Sequence, residues 1–342
     1  MQPSFKLRDY PIFLGPIREN FPAWIRQQAY SNVFVITDEN VAGMTPGFPK
    51  ETGVRVPAGE IHKTLASCEH IWSAMFAASL DRKALVVNLG GGVVGDMGGF
   101  CAATFKRGVD FVQIPTTLLS MTDAAIGGKL AIDFQGIKNS VGVFKNPVAV
   151  FADPVFLHTL PERELRSGFA EVIKHARIGD PFLWDTIRAQ SGLPGFNWAD
   201  ILRLSIAVKV RIVEEDPLEQ GLRALLNFGH TIGHALESYF LETDSPLTHG
   251  EAIAIGMICE ALPSAGQAVP NDLIDVIGRF FPHRAVPESA FPELWRLMQQ
   301  DKKNASGAVR MAVPDAYPYS MKVLELTPED MARRLLFYNQ LL

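Results

Sequence analysis

The chain has 342 residues, 47% hydrophobic and 20% charged, which is ordinary for a globular protein and long enough for two cores. A net charge of −5 argues against a non-specific nucleic-acid binder and leaves room for a local basic pocket. Cys68, Cys101 and Cys259 lack paired spacing, so neither a disulfide framework nor a thiolate zinc site is available and a reducing compartment fits. The residues from Met1 to Lys6 hold no apolar signal core and no apolar run reaches membrane-span length, so a soluble, cytoplasmic protein is expected.

In chain order, residues 32–37 (NVFVIT), 84–89 (ALVVNL) and 111–114 (FVQI) are short apolar, β-branched runs that end at turn residues, as buried parallel strands do. Residues 64–80 carry helical apolar spacing between them. This alternation predicts an α/β layer whose ligand sits at the carboxyl ends of the strands. From about Pro161 the spacing is mostly helical, over 162–175, 199–215, 231–240, 251–262 and 271–280. The expected organisation is therefore an α/β domain over residues 1–155 and a mostly helical one over 156–342.

Gly90-Gly91-Gly92-Val93-Val94-Gly95-Asp96 follows a predicted strand and precedes a predicted helix. It satisfies G-x-G-x-x-G in the context where glycines let the backbone approach a pyrophosphate and a helix N-terminus supplies N–H donors. A tight strand–helix turn produces the same pattern. The acidic ribose partner usual about 20 residues downstream is not evident, and Asp38, ending an earlier strand, is the better candidate.

Three of the eight histidines fall between positions 230 and 249. His230 and His234 are four apart, so on a helix both imidazoles share one face. Such a pair can hold a zinc-like metal with a carboxylate such as Glu171 completing the site, or it can be two core histidines; the spacing alone leaves both open. The zinc-protease motif is not met, because Thr231 stands where its general-base Glu belongs. Lys129, Lys138-Asn139, Lys174, Lys209, Arg223 and Lys302-Lys303 are cations that an acidic protein ordinarily keeps solvated. Beside a metal candidate they suggest a pocket for a multiply anionic substrate. NAD together with a metal points to alcohol oxidation.

These stretches, with Lys106-Arg107-Gly108-Val109, Gln113 to Leu119, Asp123 to Lys129, Thr159-Leu160-Pro161, Leu226 to Glu237 and His249-Gly250-Glu251, run in one order over roughly residues 30–305. In them the chain resembles the 3-dehydroquinate synthase family of sugar-phosphate cyclases. The resemblance implies a Rossmann-like parallel-sheet domain followed by a mostly α-helical domain. It implies conversion of 3-deoxy-D-arabino-heptulosonate 7-phosphate to 3-dehydroquinate and phosphate in the shikimate pathway, with NAD and Zn2+, or Co2+, as cofactors. It assigns the metal to Glu171, His230 and His249, moving His234 from ligand to neighbour. It places Lys129, Asn139, Lys174, Lys209, Arg223, Asn227, His234 and one of Lys302 and Lys303 at the substrate. It places Asp38, Asn40, Glu60, Lys63, Gly91, Gly92, Asp96, Thr116, Thr117, Asp123, Lys138 and Thr159 at NAD. Arg107 matches an arginine that reaches the neighbouring subunit's site, which implies a homodimer.

Ala124-Ala125 stands where the family commonly has two serines, and Leu130 where threonine is frequent. The rival expectations are a sibling cyclase such as a 2-deoxy-scyllo-inosose or valiolone synthase, a glycerol dehydrogenase-like enzyme, and a non-catalytic NAD-binding relative. The intact Lys129, Lys138-Asn139 and Arg223 favour a carboxylate-bearing substrate over the first, the Lys/Arg cluster argues against the small neutral substrate of the second, and retention of all three proposed ligands and the lysines argues against the third.

Overall fold

The computed structural model describes every residue except 1, 8, 44–51, 136, 242, 264–269, 301–307, 316 and 342. The chain divides into two compact units, Met1–Leu160 and Pro161–Leu342.

In the first unit β1 (Phe5–Leu7) and β2 (Tyr10–Leu14) lead into α1 (Ile17–Ile25), β3 (Val33–Asp38), β4 (Gly53–Val56) and α2 (Leu65–Ala77). Then come β5 (Leu85–Gly90), α3 (Gly92–Thr104), β6 (Asp110–Pro115), the hairpin strands β7 (Lys129–Phe134) and β8 (Ile137–Phe144), and β9 (Ala149–Ala152). Seven strands form one sheet in the order β1-β2-β9-β6-β5-β3-β4, parallel except for the β1–β2 pair. All six residues of β5 are buried, which is why its sequence runs apolar without alternating. β3 has β4 on one side and β5 on the other, so the chain reverses direction across the sheet there. The carboxyl ends of β3 and β5, at Asp38 and Gly90, flank that switch point, where open α/β sheets bind ligands.

α3 lies unusually low on the sheet because it carries glycine where it meets its neighbours. A Cβ added at Gly98 would stand 2.0 Å from Asn88 Oδ1, and one at Gly99 2.5 Å from Leu130 Cδ2. Leu130 and Ile132 of the β7–β8 hairpin join Phe34, Met75, Val86 and Phe111 in one buried cluster. The hairpin, the short edge strands and β9 were not expected from sequence. β8 alternates too irregularly to read as a strand, since most of it faces outward.

The second unit holds α4 (Glu162–Gly179), α5 (Pro181–Ala189), α6 (Trp198–Glu215), α7 (His230–Leu241), α8 (His249–Ala261), α9 (Asn271–Phe280) and α10 (Phe291–Gln299). A hairpin of β10 (Val309–Pro314) and β11 (Met321–Leu326) and a last helix α11 (Pro328–Asn339) follow. Phe169 of α4 packs on Phe196 and on Phe280 of α9, with ring centroids 5.0 and 4.8 Å away. Among the described residues no helix is long and apolar enough to cross a membrane.

Candidate functional site

In the first unit the glycine-rich turn forms a small concavity lined by Gly90, Gly91, Gly92, Gly95, Ser120, Ala124 and Ala125. Gly91 is the residue before α3, so the free N–H groups of the helix's first turn face this end of β5. Thr116 donates its backbone N–H to Gly90 at 3.0 Å, and the Thr117 and Ser120 hydroxyls lie 2.8 Å apart. Ala124 reaches the same rim, since a Cβ on Gly92 would stand 3.6 Å from its methyl. Asp123 belongs to the short turn Ser120–Ala124. Asp38 accepts N–H bonds from Asn40 at 2.9 Å and Val41 at 3.1 Å. Burial raises its pKa despite those two bonds.

Lys63 is buried, with Nζ 2.6 Å from both Asp96 Oδ2 and Asn139 Oδ1. Burial opposes the ammonium, but Asp96 and then Glu60 outweigh it and hold the Lys63 pKa above its ordinary value. Asn139 is left-handed at φ 50° and donates its backbone N–H to Asp133 at 2.7 Å, and Lys138 precedes it on β8. Lys129 opens β7 and is exposed. Thr159 is exposed and bonds Phe156 O at 3.4 Å. Lys106 and Arg107 are both left-handed, at φ 49° and 70°, where the chain turns sharply out of α3; Arg107 is exposed.

The second unit gathers the histidines. His230 begins α7 and His249 begins α8, and both point Nε2 at Glu171 Oε1 of α4, at 3.5 and 3.4 Å. Each ring's other nitrogen is engaged: His230 Nδ1 with Phe228 O and His249 Nδ1 with Glu237 Oε2, both at 3.1 Å. A hydrogen on Nδ1 satisfies these acceptors and leaves the Nε2 lone pairs converging on one point, the arrangement metal-ligating imidazoles adopt. Burial disfavours a charged His249, yet Glu237 and Glu171 outweigh it and push its pKa up to about 10. The carboxylates thus draw positive charge into this cavity, and a divalent cation fits both donor set and electrostatics. The residue spacing had offered His234 as partner to His230. The fold instead puts His249 opposite Glu171, with the His234 ring 5.0 Å from that of His230 and 5.9 Å from that of His249.

Local structure explains the His249-Gly250-Glu251 motif. Thr248 caps α8, and Glu251 returns a bond to the Thr248 N–H at 2.8 Å while taking Arg163 in two contacts, at 3.1 and 2.8 Å. Gly250 passes so near α4 that a Cβ would stand 2.0 Å from Ser167 O.

Lys174 pairs with Glu171, and with Lys209 and Arg223 it is buried, at 1%, 5% and 2% exposure. These three are therefore not the solvated surface charges that composition would suggest, and burying them calls for anionic partners. Asn227 donates to Glu219 at 2.7 Å. Asp216 accepts N–H bonds from Gln220, Gly221 and Arg223, at 2.9, 2.7 and 3.0 Å, and so shapes the loop holding Glu219 and Arg223. Lys302 and Lys303 lie outside the described residues. Sequence reasoning gave no role to Glu219, Glu237 or Glu260. Glu237 could have been found, seven positions after His230 on the same helical stripe.

Residues 53–167 match the family model described as 3-dehydroquinate synthase N-terminal, and residues 168–304 the one described as 3-dehydroquinate synthase C-terminal. The chain belongs to the 3-dehydroquinate synthase family. It is 39% identical to the 3-dehydroquinate synthase of Parabacteroides distasonis, over 88% of this chain and 90% of that one. It is 37% identical to that of Halorhodospira halophila over 96% of each. Among solved structures it superposes on 2-epi-5-epi-valiolone synthase from Streptomyces hygroscopicus, which has NAD+ and Zn2+ bound, with TM-score 0.84, 24% identity and 99% of both chains covered. It also superposes on a 2-deoxy-scyllo-inosose synthase complexed with carbaglucose-6-phosphate, NAD+ and Co2+, with TM-score 0.74, 22% identity and 95% and 96% coverage. At those identities the two structures show the fold alone.

Proposed function

We propose that this chain is a 3-dehydroquinate synthase, converting 3-deoxy-D-arabino-heptulosonate 7-phosphate to 3-dehydroquinate and phosphate. The observation that carries this reading is the convergence of His230 and His249 Nε2 on Glu171 Oε1 beside the buried Lys174. It occurs in a chain 37–39% identical over most of its length to enzymes of that name. Glu171, His230 and His249 would hold zinc or cobalt, and the first unit, from Asp38 to Thr159, would hold NAD. When bound, NAD supplies a reversible hydride acceptor for C5 and the metal a Lewis acid for the hydroxyl there, so turnover leaves no net NADH. The chain's own residues do the rest. Lys129, Lys174, Lys209 and Arg223 neutralise the substrate's phosphate and carboxylate. Asn139 and Asn227 orient its hydroxyls, and Lys174 pairs with Glu171. The ketone formed at C5 acidifies the neighbouring C–H, the departing phosphate carries that proton away, the hydride returns to C5, and ring opening and aldol closure follow.

The deciding experiment is phosphate release from this substrate with NAD, before and after chelation and with zinc added back. Release that stops with chelator, returns with zinc and leaves no NADH supports the reading. Metal- and NAD-loaded protein that releases nothing from it, yet acts on a sugar phosphate lacking the carboxylate, turns the assignment to a sibling cyclase.

The same reading makes the protein a homodimer in which Arg107 serves the partner's site. Its exposed side chain on a left-handed corner suits reaching outward. Arg107→Ala is expected to lose activity and keep its metal. Mixed with Lys174→Ala, it should regain part of the activity through one intact shared site. Verified heterodimers with no recovery would sink this arrangement.

A further inference from the structure

α7 starts without a cap of its own. Its first residue is His230, and the residue before it is Gly229, which has no side chain and sits at φ 82°. The first N–H groups of a helix need acceptors. Here one buried side chain from another helix supplies them. Glu260, on the last turn of α8 and 1% exposed, accepts the Gly229 N–H through Oε2 at 2.7 Å and the Ile232 N–H through Oε1 at 2.9 Å. The Thr231 N–H lies in the same field. The carboxylate charge also suits the positive end of the α7 dipole.

The contact is tightly framed. α7 and α8 cross with backbone against backbone, a Cβ on Gly256 standing 1.9 Å from Gly229 O. Arg334 of α11, fully buried, donates to the carbonyls of Cys259 and Glu260 at 2.9 and 3.3 Å and pairs with Asp330 at 2.9 Å. It thereby closes the end of α8 and sets a positive charge near Glu260. His230 depends directly on this frame: it lies between the two bonded amides, and its ring is tied back to Phe228 O.

We propose that Glu260 is a positioning residue for the metal centre, holding the start of α7 so that His230 Nε2 points at the ion. The proposal rests on the metal reading above. Glu260 is in none of the candidate ligand groups among the described residues, and both of its oxygens face backbone N–H groups. Its two oxygens are both used, so Glu260→Gln offers one acceptor and turns an amide N–H toward a backbone N–H.

The test is metal affinity by chelator competition on the full-length protein, with the visible spectrum of the cobalt-loaded form as a readout of ligand geometry. Circular dichroism and NAD binding report folding. Glu260→Gln is expected to fold, bind NAD as wild type does, bind zinc about 10–100-fold more weakly and shift the cobalt bands. Glu260→Asp keeps the charge with shorter reach and should fall between the two. Wild-type zinc affinity and an unshifted cobalt spectrum in folded Glu260→Gln overturn the proposal, as does failure of both variants to fold, which would make Glu260 a core residue only. If wild-type protein takes up no metal, or His249→Ala keeps full stoichiometry, the metal reading itself has failed. That outcome is separate from the behaviour of Glu260.

Discussion

A histidine becomes a metal ligand through the atom that holds its far nitrogen. His249 has Glu237 at Nδ1 and His230 has a backbone carbonyl, whereas His234 stands one turn further along α7. Replacing His249 by Ala is therefore expected to abolish tight metal binding while NAD binding persists; elemental analysis of the purified variant checks it, and unchanged stoichiometry would remove His249 from the ligand set. At this scale the sequence was readable wherever chemistry-bearing residues cluster in short motifs, as in residues 90–96, 226–237 and 249–251. It was unreadable where a partner is chosen by packing. Nothing near Glu260 announces that it meets Gly229, and nothing near Glu219 announces Asn227. The buried state of Lys174, Lys209 and Arg223 was equally invisible, because burial of a long cationic side chain is decided by tertiary neighbours.

Among elements, the α7–α8 crossing is the most constrained. Gly256→Ala puts a methyl into a backbone carbonyl, and overpacking of that kind costs about 1–3 kcal/mol. Lower thermal stability together with reduced metal content is the expected result, measured by calorimetry and metal analysis; a stable variant with full metal would show that the crossing can open. The loop after α6 gives a prediction in pH. Burial raises the Asp216 pKa, but bonds from the Gln220, Arg223 and Gly221 amides outweigh it and hold the carboxyl below its usual range. A folded value below the unfolded one means its contribution is complete above about pH 4 and is lost as pH falls through the folded value. Asp216→Asn should loosen the loop already at neutral pH, raising KM by about tenfold for roughly 1.4 kcal/mol of lost orientation. A KM that stays at the wild-type value would detach this loop from substrate binding. α4, α6, α7 and α9 were legible because each shows an apolar stripe at helical spacing, and α8 because it is apolar along most of its length, being buried from Gly250 to Glu260. α5, α10 and α11 were passed over, and so was the β10–β11 hairpin, whose second strand is largely exposed and thus lacks a clear alternation.

For the molecule as a whole, the order of an α/β half before a helical half followed from periodicity alone, since buried parallel strands and amphipathic helices read differently. The sequence places the boundary near residue 155 and the compact units divide at Leu160; after β9, Asp153 takes the Ile17 N–H of α1 at 2.8 Å and ties that stretch to the first unit. The proposed metal ligands all belong to the second unit and the glycine-rich turn to the first, so chelation and dinucleotide binding are expected to be separable. Protein stripped of metal should bind NAD with near-native affinity by calorimetric titration and show no phosphate release; loss of NAD binding on chelation would mean the metal supports the first unit as well. One feature reaches beyond the single molecule. His249 and Glu260 stand eleven positions apart on α8, about three full turns, so both meet α7 from the same side. The helix is therefore a ruler with a fixed phase. One inserted or deleted residue between them would turn one end about 100° away from the other. Divergence within this stretch should accordingly be written in substitutions, with gaps confined to the loops at either end.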